Sequence, residues 1–332
     1  MMVQSQIVLL KIGMMFLVMV AGWWASRRGY LSPVSTRAMS LLVVQLAFPA
    51  LVFVQMMGTV TVEVLRRGWW IPVLAIVSMV LAVGVGRVLI PFSRQEPFRR
   101  RTFTFLIAVP NWVFLPLPIA GGLYGAEGIR FVLLYNFGAQ IVLWTLGVRI
   151  LQGGKPGVPV WHSLLSNPGI LATLAGVAVA LLWPGAAIVG NSSPGTGWWL
   201  LGDGIMAALR MIGDLTIPLS LLATGAQLGS LAMADHFKWR PLAGVMLGRL
   251  ILAPVATILL LKGMELVLGM RMSEADFVTA AIIASMPVAI SCTLFAERFE
   301  GDGELSASAV FWTTLVSLAT VPVMVFACRW LV

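Results

Sequence analysis

The sequence predicts an all-α membrane protein of about ten transmembrane helices, in two inverted five-helix repeats with broken, crossing fourth and ninth helices. Three observations carry this. The 332 residues are 59% apolar and 11% charged, with a mean hydropathy of +0.96, which excludes an ordinary soluble domain. Apolar runs of the ~20 residues that a bilayer-spanning helix needs recur along the whole length. Two of these runs, Ala108–Gly122 (AVPNWVFLPLPIAGG) and Ala284–Phe299 (ASMPVAISCTLFAERF), are interrupted by proline. Proline lacks the N–H and clashes with the carbonyl four residues back, and in hydrocarbon such opened backbone survives only where it lines a cavity or is buried in protein.

In order, the spans fall at roughly 6–26, 36–57, 69–90, 102–122 and 128–151, then at 163–183, 204–228, 241–262, 276–296 and 306–328. The first reads as a retained helix, not a signal peptide, because Lys11 interrupts its apolar stretch and no small-x-small site follows. The second carries Pro49 in QLAFPALVF. The third opens on Trp69 and Trp70, and the seventh is preceded by Trp198 and Trp199, as an interfacial aromatic belt requires. The fourth is the first broken span. The fifth places Asn136 and Gln140 on one face, beside Tyr135. The loop Gln152–Trp161, rich in Gly and Pro, then divides the chain into a first repeat (1–151), a connecting loop (152–162) and a second repeat (163–332). The seventh span holds Asp214 and Pro218 in DLTIPLSLL, the eighth Arg249 about two turns in, and the ninth is the second broken span.

The halves echo one another. QLAFPALVF aligns with DLTIPLSLL, placing Pro49 on Pro218 and Gln45 on Asp214; AVPNWVFLP aligns with SMPVAISCT, placing Pro110 on Pro287. Each broken span is followed by a short acidic turn with glycine, YGAEG and EGDGE. Five spans per half is an odd number, so the second half enters the membrane from the opposite side, the construction of many secondary transporters. Basic residues such as Arg27, Arg28 and Arg99–Arg101 outnumber those on the other side, which places both termini outside by the positive-inside rule, with Arg66 and Arg67 pulling the other way.

The net charge of +9 is accounted for by these loops, so no nucleic-acid partner is implied. Cys292 and Cys328 lie in apolar spans and give no disulfide framework or metal spacing. His162 and His236 fall in loops, and Asn191-Ser192-Ser193 fits the short glycosylation pattern. There is no G-x-x-x-x-G-K-[ST] loop, no HExxH and no Asp-rich cluster, so neither an ATP motor nor an intramembrane enzyme is expected. A channel or a non-transporting receptor remains the alternative to a carrier.

Several segments together resemble the auxin efflux carrier family, which includes bacterial malonate and related organic-acid carriers and is distantly related to bile acid–sodium symporters. They are FPALVF in the second span, NPGILATLAGVAVAL in the sixth, TIPLSLLATGAQL in the seventh, and MPVAISCTLFAERF with a trailing GDG in the ninth. The resemblance implies a secondary carrier of a small organic anion, a dicarboxylate or an auxin-like aromatic acid, in the plasma membrane. Substrate would bind where the fourth and ninth spans cross, between a panel-like scaffold and a mobile core. One departure stands out: the family's fourth span usually reads like N-x-G-x-x-G-x-P, and here Asn111 and Pro118 are kept while Val113 and Pro116 replace the glycines.

The candidate substrate-binding residues are Asn111, Pro116, Pro118, Pro287, Ser291, Cys292 and Asn136. Interrupted helices offer free N–H groups and positive dipole ends to a carboxylate. Asn111 either touches the ligand or caps the backbone freed by the prolines; Ser291 is its counterpart, or bonds its own helix; Asn136 lines the path or bonds between helices. The candidate ion-coupling residues are Asp214, Gln45 and Thr293, with H⁺ or Na⁺ as the coupling ion and no bound cofactor. Asp214 is read either as a coupling carboxylate buried at membrane depth or as the i,i+4 partner of Arg210. The long stem of Arg249 is expected to snorkel to the boundary, with attraction of the anion as the other reading. The bilayer and the anion are the expected partners; a homodimer is left open.

Overall fold

Proline and short polar caps decide where the helices begin and bend. The computed structural model describes residues 2–93, 96–153, 167–183, 198–230 and 239–330. After α1 (Met2–Arg27), Ser32 and Ser35 form a reciprocal capping box that starts α2 (Pro33–Thr59), with Pro33 at its first turn. Inside α2 the chain widens into a π turn, Val43–Ala47, immediately before Pro49, which absorbs the backbone that this proline cannot pair. Thr61 caps the short α3 (Val62–Gly68), which leads into α4 (Trp70–Ser93). Pro97 opens α5 (Pro97–Ala108), and Pro116 opens α6 (Pro116–Gln152). Asn167 caps α7 (Pro168–Leu182), accepting from the N–H groups of Gly169 and Ile170.

Next come α8 (Trp198–Asp214) and α9 (Thr216–Ser230). The sequence reads these as one span, and Gly202–Ser230 forms one crossing stretch, with a single turn residue, Leu215, between α8 and α9 ahead of Pro218. Then follow α10 (Trp239–Val267) with a π turn at Gly248–Leu252 before Pro254, α11 (Glu274–Ala284) capped by Ser273, α12 (Ser291–Arg298), and α13 (Gly303–Arg329) capped by Asp302. Of the two acidic turns, YGAEG is a kink inside α6, where Gly125 takes φ +58°, and EGDGE supplies the Asp302 cap.

Among the described residues six stretches are long and apolar enough to cross a membrane: Pro33–Thr59, Val62–Pro91, Pro116–Gln152, Gly202–Ser230, Trp239–Val267 and Gly303–Arg329. Of the ten spans read from the sequence, the first, fourth, sixth and ninth are absent from this set. The sixth corresponds to the shorter apolar helix Pro168–Leu182, and the fourth and ninth are missing for a physical reason. Their breaks leave α5 and α11 only 12 and 11 residues long, too short to cross alone. Large apolar side chains face outward along the long helices, among them Leu46, Ile205, Met211 and Val323, as suits a multi-pass protein in lipid.

The chain divides into two compact units. The first comprises Met1–Gly13, Ile71–Val160 and Leu231–Val332. Its core holds Phe103, Phe105 and Ile107 of α5, Phe131 and Leu133 of α6, and Phe277 of α11, all essentially sealed from solvent. The second comprises Met14–Trp70 and Trp161–Ser230. It is packed through small residues, as helices in lipid pack: a methyl on Gly22 would strike the Leu222 carbonyl, one on Gly225 the Met19 carbonyl, and one on Gly213 the backbone of Leu51.

The connecting loop from 154 onward, the Asn191–Ser193 pattern, His162 and His236 lie outside the described residues, as do the side chains of Trp198 and Trp199. Trp69 is exposed as a belt residue should be, whereas Trp70 turns inward and is buried.

Candidate functional site

In the first unit the two proline breaks are laid side by side. α5 ends at Ala108 and α6 begins at Pro116; α11 ends at Ala284 and α12 begins at Ser291. The two connecting segments run antiparallel and meet at a bridge between Pro110 and Val288. The N–H of Asn111 donates to the carbonyl of Pro287 at 2.8 Å, and the N–H of Ala289 donates to the carbonyl of Val109 at 3.2 Å. The N–H of Val288 is taken by Thr313 Oγ1 of α13 at 3.1 Å. Unpaired main-chain groups are costly in a dry interior, and Pro110 and Pro287 have no N–H to give. Each break therefore supplies the partners that the other lacks.

Around this pairing the residues singled out from the sequence sort as follows. Asn111 is buried, and its Oδ1 accepts from the Phe114 N–H at 3.1 Å, so it caps the turn that leads into α6; its Nδ2 has no hydrogen-bond partner among the described residues. Pro116 is the buried first residue of α6, and Pro118 is half-buried. Pro287 is buried and contributes its carbonyl. Ser291 is half-buried at the start of α12, with no hydrogen bond to its hydroxyl among the described residues. Cys292 is fully buried, its Sγ 3.9 Å from the Val109 carbonyl, and serves as packing inside the crossing. Thr293 Oγ1 donates to the Ile290 carbonyl of its own turn at 2.8 Å. Neither α6 nor α12 has a side-chain cap on its first turn.

Asn136 of α6 joins the same place. Its Oδ1 accepts from Trp112 Nε1 at 2.9 Å, and Gln140 Nε2 lies at a loose 3.5 Å from the same oxygen. The indole N–H can only donate, so it fixes which end of the Asn136 amide faces it. The amide nitrogen is thereby turned away, buried and without a partner among the described residues. Tyr135, next to it, shares a 2.8 Å hydrogen bond with Ser78.

Arg249 departs from expectation. It does not snorkel: it is 2% exposed, and its Nη1 donates to the Ile107 carbonyl at 2.8 Å while Nη2 donates to the Ala284 carbonyl. A charge two turns inside an apolar span was the only sequence signal for this; the carbonyls it meets, 142 and 35 residues away, were not readable from its own helix. Phe295 and Trp144 were missed altogether. Their rings meet edge-on at 5.2 Å, and Phe105 and Phe299 extend the same aromatic wall beside α12.

The coupling candidates of the second unit are placed differently from their sequence reading. Asp214, the last residue of α8, is exposed and makes no ion pair or side-chain hydrogen bond among the described residues, so neither burial nor a bridge to Arg210 is seen. Gln45, within the π turn of α2, is exposed as well.

At the end of the first unit where α13 begins, Asp302 caps α13 through the Leu305 N–H at 2.9 Å, and its own N–H donates to Thr102 Oγ1 at 2.9 Å. Arg99 stands 3.1 Å from the Asp302 carboxylate, a charge contact without a well-aligned hydrogen bond. At the acidic kink of α6, Tyr124 and Arg329 both reach Glu274, and Ser273 donates to Glu127.

A family model described as a membrane transport protein matches residues 7–158 and 156–325. An uncharacterized transporter of Methanothermobacter thermautotrophicus is 23% identical over 301 residues, covering 89% of each chain. Another, from Methanocaldococcus jannaschii, is 22% identical over 309 residues, 92% of this chain and 94% of its own. A protein of Streptomyces antibioticus named Na(+)/H(+) antiporter NhaA is 28% identical over 269 residues, 77% of this chain and 52% of the antiporter.

Proposed function

The chain belongs to the membrane transport protein family, and from that premise we propose that it is a secondary carrier of a small organic anion in the plasma membrane. In this reading ten spans form two inverted five-helix repeats, and substrate binds at the paired breaks, exposed to each side in turn by alternating access. The observation that carries the proposal is the mutual pairing of the breaks at Asn111 and Pro287. Irregular backbone at membrane depth is tolerated only where it is buried in protein or lines a cavity, and the helices that begin at Pro116 and Ser291 turn the positive ends of their dipoles to the break. Pro116 and Pro118 have no N–H and that of Leu117 donates to the Val113 carbonyl, so α6 offers dipole and not free donors.

The proposed ligand contacts are the Asn111 amide, the Ser291 hydroxyl and the Asn136 amide nitrogen, none of which spends its donors within the described protein. Pro116, Pro118 and Pro287 shape the backbone around them, and Cys292 fills the crossing behind. Energy comes from an ion gradient or from the substrate's own gradient. Asp214, Gln45 and Thr293 are the proposed coupling groups, for H⁺ or Na⁺; the antiporter of Streptomyces antibioticus is a relative whose name specifies those two ions.

Uptake into proteoliposomes tests the proposal. Saturable flux of a labelled dicarboxylate or aromatic acid, accelerated by unlabelled acid on the far side, is the expected result. Ohmic current without counterflow for any organic acid overturns it in favour of a channel.

A further inference from the structure

The crossing contains a cation of its own. Arg249 sits on the π turn of α10 and reaches two carbonyls in the last turns of two different half-helices, Ile107 in α5 and Ala284 in α11. Both half-helices end at the break, so their carbonyls lack the next turn of helix to pair with. Each such end carries roughly half a negative charge, and the two together offset about one unit of positive charge. Among the described residues no carboxylate lies within ion-pair distance of Arg249; its charge is met by main-chain ends. A guanidinium suits the task better than an ammonium, because its planar fork directs two donors at two fixed acceptors.

In carriers built from broken helices, half-helix C-terminal ends and unwound carbonyls are where a co-transported cation is held. We propose that Arg249 takes the place of that cation: a tethered, permanent charge on the carbonyl ends of α5 and α11 that lets the crossing bind its anion without sodium. The remaining helix ends at this crossing, the starts of α6 and α12, are positive. With the negative ends already occupied by Arg249, their charge is left for the substrate carboxylate. A proton at Asp214, or the substrate's own gradient, is then the remaining source of drive. The inference rests on reading the paired breaks as the substrate site.

The test compares purified full-length protein in sodium chloride and in choline chloride of equal ionic strength. The apparent melting temperature of the ligand-free protein is expected to be the same in both salts, and the rise produced by a transported acid likewise. A melting temperature or ligand-induced rise that grows specifically with sodium overturns the inference, and the ligand-free comparison stands even where no transported acid is found. Absence of counterflow in either salt, by contrast, defeats the carrier reading alone. Two variants add a direct arm. Arg249→Lys keeps a charge and is expected to retain measurable counterflow in both salts, while Arg249→Met loses it roughly tenfold or more. Counterflow in Arg249→Met equal to that of the parent overturns the assignment. Should Arg249→Met fail to fold, the salt comparison on the parent protein and Arg249→Lys still decides.

Discussion

The N–H of Asn111 donates to the carbonyl of Pro287 at 2.8 Å, so two residues far apart in the chain hold each other's broken helices in register. The bond belongs to the main chain, while the Asn111 side chain does a second job, capping the Phe114 N–H. These two roles separate in the variants below.

Asn111→Ala removes the cap and the free amide but leaves the main-chain bond. Stability is expected to fall by ~1 kcal/mol, the usual worth of such a cap, while anion affinity falls further. Asn111→Asp keeps an acceptor for Phe114 but puts an unpaired carboxylate in a buried position, so it is expected to melt below the parent and to lose anion binding. Thermal melting and substrate titration of both variants check this; unchanged affinity in both removes Asn111 from the site.

The Trp112–Asn136 hydrogen bond is buried at both ends. Asn136→Leu strands the indole N–H and is expected to cost ~1–3 kcal/mol. Trp112→Phe in the Asn136→Leu background should recover part of that loss, because no donor is then left unpaired. A double-mutant cycle on melting measures the coupling; additive losses would show that the bond contributes nothing beyond packing.

Close helix approach in the second unit should be intolerant of a single methyl group. Gly225→Ala is expected to lower the yield of monodisperse protein sharply, since the new Cβ meets the Met19 carbonyl. Gly84→Ala in α4 has nothing within 4 Å of the added methyl, so it is expected to be neutral or to stabilise by up to ~1 kcal/mol through helix propensity. Size-exclusion profiles of the two variants are the measurement.

Asp214→Asn removes an exposed carboxylate that has no ion pair among the described residues. Stability should change by no more than ~0.5 kcal/mol. Transport is expected to lose its pH dependence if a proton moves through this group, as assayed by counterflow across a pH series. A variant with the parent's pH profile assigns Asp214 no part in coupling.

What could be read from the sequence followed from local chemistry. Pro110 and Pro287 announce broken helices because a missing N–H acts on its own turn, and Ser32, Asn167, Ser273 and Asp302 are ordinary caps. What could not be read depends on partners distant in the chain. The π turn Leu143–Gly147 has no proline near it, so nothing local predicts it. The expectation that Arg249 would snorkel assumed lipid around it, and the actual acceptors come from α5 and α11. Asp214 was expected to be buried because hydropathy averages over a span and does not distinguish its faces; its side chain is on an open one.

The two bonds that join the breaks, Asn111 to Pro287 and Ala289 to Val109, use main-chain atoms alone. Val113 and Pro116 occupy positions between the tie at Asn111 and the body of α6, where exchange leaves the N–H to carbonyl bond untouched. On the proposed reading, an exchange at Val113 changes what a ligand at the crossing would touch while both main-chain bonds between the breaks remain in place.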